Sequence, residues 1–432
     1  MSGGGDNIIR RCRELLKTDL TFKGASTDYA THGIHSFAAK FPPQLPRVFI
    51  ENLTKVGDLV LDPMVGSGTT LVECLLGRRA GVGLDLDPLA VMLSQCKVKR
   101  IEKEKLVSAV KAVIEKARAN IATCYGTFAR LPIQDALSRF DEETKEFIKY
   151  WFKPETVLEL TSLIDAIEEG EFDSRVEVAL KVAFSSVIVT KSGGVTLARD
   201  LAHSRAHKDT SKEVPSAIRM FEQKAVKIAY ALDSLPDGVD VSVIMADARR
   251  VPLDDETVDL IITSPPYAIA IDYVRAHKFS LVWLGYSIRQ LSELRGMYIG
   301  TEKVPKTKRL FKTEIPSIDE YLSKLIELDG RRGLMVAKYF VDMQEALKEM
   351  YRVLRPGKCA IVVVGPSTVR GHIVPTHEML IKLGVDIGFE YVGRGLRSLD
   401  RDKRQLPVSN RSNKSGIEAR IHEEYVLALA KC

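Results

Sequence analysis

The chain has 432 residues, with 63 Lys+Arg against 57 Asp+Glu and 45% hydrophobic residues. That length accommodates one large core with an insertion or a second smaller unit, and it excludes a short disulfide-stapled scaffold. The formal charge of +6 names a polyanionic partner only if the basic residues gather on one face.

No run approaches the roughly 18 apolar residues of a membrane span, and the N-terminal stretch lacks the apolar core of a signal peptide. The cysteines at 12, 74, 96, 124, 359 and 432 form no CxxC pair and no Cys/His cluster. A reducing, cytoplasmic setting without a metal centre or membrane contact is therefore expected.

In chain order, a basic amphipathic segment at 7–20 precedes 31–53, whose three prolines ahead of a periodic apolar stretch predict a shaped loop feeding a helix. Residues 58–62, DLVLD, run through PMVGSGTT into the helical pattern LVECLLG, which reads as strand, glycine loop, helix. A second apolar run at 80–85, AGVGLD, leads into a stretch where Leu89, Met92, Leu93 and Cys96 recur at helical spacing. Together they predict a parallel βαβ pair. From 101 to 235 the pattern is charged and helical, with a basic glycine-containing loop at 191–212. Strand signals return at 241–247 and 258–264, followed by a helix over 275–290, a basic loop at 301–316, a helix over about 317–354 and a buried strand at 359–365. The runs 387–396 and 421–430 are expected to close the sheet as an antiparallel pair. The fold class is thus α/β, a doubly wound mostly parallel sheet with a helical insertion.

Two segments carry chemistry. In DPMVGSGTT, Gly66 and Gly68 let the backbone pass close to a ligand, and the following helix offers free amides and the positive end of its dipole. No Lys follows the last glycine, so this is not a phosphate loop, and GxGxxG is not matched either. Asp85 ends the next strand, where a carboxylate can accept hydrogen bonds from ribose hydroxyls. A structural turn with a capping aspartate is the alternative. In TSPPY, Thr263 to Tyr267, two prolines stiffen the backbone, Ser264 offers a short hydrogen-bonding side chain and Tyr267 a flat face. Such a corner suits a planar amine-bearing ring; a stiff turn with a core tyrosine is the alternative.

The two segments together, with GVGLDLDP between them, resemble the S-adenosylmethionine-dependent DNA amino-methyltransferases. In that family the loop typically reads DPFxGSGTT, and the catalytic tetrad reads SPPY in the branch modifying cytosine N4. Here Met64 replaces the common Phe. The resemblance implies a Rossmann-like methyltransferase domain whose cofactor half lies at 1–100 and whose second part, with the catalytic motif and basic loops, lies at 236–432. A helical insertion or subdomain would occupy 101–235. It implies S-adenosyl-L-methionine as cofactor, with Asp62, Gly66, Ser67, Gly68 and Thr69 around its methionine portion, Asp85 at its ribose and Asp247 near its adenine. HSFAAKFPPQLP resembles the family's cofactor-side motif, so Ser36, Phe37, Lys40 and Phe41 are candidates for that side. His35 either lines it or caps the loop.

The resemblance further implies a reaction on an exocyclic amine of a base flipped out of double-stranded DNA. Ser264 and the Pro265 carbonyl would accept amine hydrogens, Pro266 would stiffen the corner, and Tyr267 would stack on the base. Contacts to DNA are expected from Lys308, Arg309, Arg394, Arg397, Arg401, Lys403, Arg404 and Arg411; residues 394–414 hold seven Lys/Arg against two Asp. Adenine N6 methylation, an RNA base methyltransferase and an inactive nucleic-acid-binding module are the alternatives. The family also leaves room for a cognate restriction endonuclease acting at the same site without a stable complex.

Overall fold

The computed structural model describes residues 3–126, 136–190, 192–199, 206–269, 273–304, 311–399 and 423–432. Its apolar runs form a seven-stranded sheet: β1 (Leu59–Asp62), β2 (Ala80–Asp85), β3 (Val241–Met245), β4 (Val258–Thr263), β5 (Leu354–Val364), β6 (Glu390–Ser398) and β7 (Glu423–Lys431). The spatial order is β3-β2-β1-β4-β5-β7-β6, and only β7 runs against its neighbours. The doubly wound, mostly parallel sheet and its antiparallel closing pair are as the sequence pattern predicts.

Successive strand residues point to opposite faces. Val60, Leu260, Ile262, Ile361 and Val363 pack on one face with α1 (Gly3–Leu15) and α2 (Gln44–Leu53). β4 is buried at all six positions, as a central strand covered on both faces must be. After β1, α3 (Thr69–Leu76) leads to β2, and α4 (Pro88–Lys97) follows β2. The approach of α3 depends on Gly83, where a Cβ would meet Leu71 Cδ1 at 2.6 Å and Val65 Cγ2 at 2.7 Å. Gly83→Ala is therefore expected to lower the unfolding free energy by about 1–3 kcal/mol, the range for overpacking, as measured by urea denaturation.

The insertion comprises α5 (Lys103–Gly126), α6 (Glu142–Trp151), α7 (Pro154–Glu168), α8 (Ser174–Ile188) and α9 (Ala217–Asp233). Its apolar faces share one cluster with Leu71, Leu75, Leu89 and Leu93 of α3 and α4, and with fully buried Trp283. It is thus built onto the β1–β2–β3 half of the sheet without a separate core.

Beyond β4 the expected helix over 275–290 is two, α10 (Tyr273–Leu281) and α11 (Ile288–Met297), the second started by a Ser287/Gln290 capping box. The expected helix over 317–354 is also two, α12 (Pro316–Leu328) and α13 (Gly330–Val353). Asp329 breaks it: its backbone is extended and its carboxylate caps Arg332 N at 3.0 Å. α14 (Thr376–Ile387) precedes β6. With α12 and α13 it covers the second face of the sheet, over Leu61, Ile261, Val362 and Leu427. Among the described residues no helix is long and apolar enough to cross a membrane.

From β1 the chain winds outward to β2 and β3 on one side, while β4 and β5 build the other. The order reverses between β1 and β4, and a crevice forms outside the carboxyl ends of strands at such a switch point. The loop after β1 and the corner after β4 are thereby neighbours.

Candidate active site

A solvent-open cleft lies at this switch point. Asp62, Gly66, Ser67 and Thr69 of the glycine loop line it, with Asp85 and Asp247 at two further strand ends. Phe37, Lys40 and Phe41 line it from the proline-rich loop, and Ser264 and Pro266 from the corner after β4.

The glycine loop is braced from inside. Asp62, at the end of β1, accepts hydrogen bonds from Thr70 Oγ1 at 2.7 Å and Met64 N at 3.2 Å, which closes the loop onto the start of α3. Burial pushes its carboxyl up to about 6. Ser94 Oγ donates to Gly66 O and Lys97 Nζ to Ser67 O, both at 2.8 Å, so two loop carbonyls face α4. Gly68 has φ 79°, and a Cβ there would sit 2.9 Å from Ser94 Oγ. This glycine serves the loop's packing on α4, and it does not line the cleft.

Asp85 is held by two backbone donors, Gly66 N and Asp87 N, each at 2.9 Å. Burial, and secondarily the nearby Asp87 carboxylate, push it up to about 7. Asp87 caps α4, accepting from Leu89 N at 2.8 Å, while its other oxygen bonds His277 Nδ1 at 2.6 Å. That bond ties α10 to the glycine-loop side. Phe37 stacks on Tyr273 at 5.6 Å and packs against His277 at 5.0 Å, forming an aromatic wall from two distant segments. At Asp247, burial acts upward on the carboxyl, but bonds from Arg249 at 2.6–3.1 Å outweigh it and hold the group below the ordinary carboxylate range.

A family model for N6/N4 DNA methylases matches residues 8–95, which include the glycine loop and Asp85. The chain is 25% identical over 420 residues to the type II methyltransferase M.MvaI of Kocuria varians, covering 92% of this chain and 90% of that protein. It is 24% identical over 425 residues to M.BsoBI of Geobacillus stearothermophilus, covering 87% and 82%. A solved structure of a putative DNA modification methylase from Thermus thermophilus, complexed with S-adenosyl-L-methionine, aligns at TM-score 0.22 and 16% identity over 43% of this chain and 53% of that one. The chain is thus similar to N6/N4 DNA methyltransferases, through the family model over residues 8–95 and through type II methyltransferases over most of its length.

Several residues that the methyltransferase resemblance assigns to the site do not themselves line the cleft. Ser36 does not line the cleft: its carbonyl accepts from His35 Nδ1 at 2.7 Å, and His35 Nε2 pairs with Ser185 Oγ of α8 at 2.9 Å. Burial pushes His35 down to about 3, so it is a neutral loop-holding histidine. Pro265 and Tyr267 are also outside the lining, and Tyr267 donates its hydroxyl hydrogen to Glu424 at 2.6 Å. Arg397 is 6% exposed and paired with Glu424, so it does not offer its charge to a phosphate. Arg394 is exposed on β6, its guanidinium 5.6 Å from the Tyr425 ring. Lys308, Arg309, Arg401, Lys403, Arg404 and Arg411 lie outside the described residues.

Asp87, Tyr273, Tyr298 and Ile299 also line the cleft, beyond the residues that the motifs mark. Asp87-Pro88 does carry the signature of a helix start, an acceptor side chain followed by proline at the first position. The two tyrosines and Ile299 carry no local signal.

Proposed function

We propose that this methyltransferase modifies the N4 amine of cytosine in double-stranded DNA, with S-adenosyl-L-methionine as the methyl donor. The observation that carries this reading is the convergence of the glycine loop, Asp85 and Ser264 on one cleft at the switch point. Ser264 at the head of the SPPY motif supports cytosine over adenine. In this reading 1–100 and 236–432 form the methyltransferase unit, and 101–235 is an insertion that buttresses its cofactor half.

The residues present suit the cofactor. Asp85 would accept from its ribose hydroxyls, the glycine loop and the amides that open α3 would hold its amino-acid end, and Asp247, Ala248 and Ile299 would take its adenine. When bound, it supplies a methyl group made electrophilic by an adjacent sulfonium. The chain's own part is positioning and electrostatics. An exocyclic amine is a poor nucleophile because its lone pair is delocalised into the ring. Ser264 Oγ and the Pro265 carbonyl accept its hydrogens and favour the tetrahedral form that can attack. Tyr267, next to the cleft-lining Pro266, would meet the plane of the extruded base as it enters the corner; removing that base from the stack costs a few kcal/mol.

The basic run beyond β6 is assigned to the DNA backbone. Replacing Arg401, Lys403 and Arg404 with Ala is expected to reduce the slope of log affinity against log salt by about 0.9 for each phosphate no longer neutralised, read by fluorescence anisotropy. An unchanged slope would move the DNA surface elsewhere. Transfer of tritiated methyl from S-adenosyl-L-methionine to duplex DNA tests the reading itself. Incorporation is expected, and tight, salt-sensitive DNA binding without incorporation would leave only a binding module.

A further inference from the structure

We infer that Glu424 is a positioning residue for Tyr267, and that Arg397 serves to hold Glu424 in place. This rests on the reading of Ser264–Tyr267 as the target-amine corner. Glu424 stands directly across from Arg397 in the antiparallel ladder between β6 and β7. One carboxylate oxygen accepts from Arg397 Nη1, and the other accepts the Tyr267 hydroxyl at 2.6 Å, a charge-assisted geometry. Glu424 and Arg397 are 4% and 6% exposed.

Burial of this pair runs against hydropathy. On β6, Leu396 is 53% exposed while its neighbour Arg397 is 6% exposed. The cause is the irregularity between Tyr391 and Gly393, which shifts the pairing with β7 and exchanges the faces that alternate residues occupy. An apolar pair would stabilise such a position at least as well, because two charges taken from water recover their desolvation cost only with favourable geometry. What an apolar pair cannot do is hold a phenol by its hydroxyl. The opposite end of the corner is fitted closely too: a Cβ at Gly300 would meet Tyr267 O at 3.3 Å and Pro266 Cβ at 3.5 Å. The tyrosine is thereby fixed at its backbone by one segment and at its hydroxyl by another. Its ring direction is set before any base arrives, so the ordering cost is met by the fold.

Three variants test this: Tyr267→Phe, Glu424→Gln and their combination, assayed for methyl transfer to DNA. Each single change is expected to lower kcat roughly ten-fold, the effect of losing a hydrogen bond to a charged group, with the KM for S-adenosyl-L-methionine unchanged. The double variant is expected to be no slower than the slower single. If Glu424→Gln does not fold, Glu424→Met with Arg397→Met removes both charges together and leaves the phenol without its anchor; the kcat loss should match that of Tyr267→Phe. Multiplying effects in the double variant, an unchanged kcat in Tyr267→Phe, or equal shifts in kcat and KM overturn the inference while the wild type still methylates DNA. A wild type that methylates no DNA overturns the functional reading and this inference with it.

Discussion

Ser264→Ala is expected to lower kcat for methyl transfer by about 10²-fold or more, the scale of removing one positioned acceptor or donor from a reacting centre. The dissociation constant for S-adenosyl-L-methionine should stay within about two-fold. Ser264 sits just past β4 and lines the cleft from the side opposite β2, whose end carries Asp85. The loop braces run from Thr70, Ser94 and Lys97, and none of them involves Ser264. Removing its hydroxyl therefore leaves the cofactor's surroundings as they were. Single-turnover kinetics with calorimetric cofactor titration separates the two quantities, and an equal loss in both contradicts the assignment.

Asp85→Asn is expected to act the other way, weakening cofactor affinity by about ten-fold or more while the DNA affinity of the cofactor-free protein holds. Asn keeps the volume but lacks the charge. It offers one acceptor oxygen where Asp85 has two, so either Gly66 N or Asp87 N is left unpaired, at a cost of about 1–3 kcal/mol. The wild type should also show a pH signature. With Asp85 near 7 and Asp62 near 6, both carboxyls carry a proton in acid. A cationic ligand prefers them ionised, so the dissociation constant should fall as pH rises from about 5 and level off above about 8. Asp85→Asn should remove the upper part of that dependence. A flat profile in the wild type, or an unaltered one in the variant, contradicts the assignment of Asp85.

The glycine loop, Asp85 and Ser264 were legible because each is local: a short apolar strand ending in a distinctive polar segment fixes both the element and the end of it where function sits. The expected sheet followed for the same reason. What joins those pieces is non-local. Asp87 meets His277 across 190 residues and Tyr267 meets Glu424 across 157, and no window of sequence contains either pair. Arg397 shows a different failure. Its place in a basic run made it resemble a DNA contact, but the β6 irregularity turned it inward. Side-chain parity along a strand depends on pairing register, which only the folded sheet fixes. The helix breaks at Asp329 and before Ser287 were legible in principle, since both residues are strong helix N-caps.

The proposed methylation of cytosine N4 in DNA leaves a product that can be read directly. Duplex DNA incubated with the purified protein and S-adenosyl-L-methionine, digested to nucleosides and resolved by mass spectrometry, should contain N4-methylcytosine. Its initial rate of formation should fall by about 10²-fold or more when Ser264→Ala replaces the wild type. N6-methyladenine as the product, or no methylated nucleoside at all, would contradict the proposal.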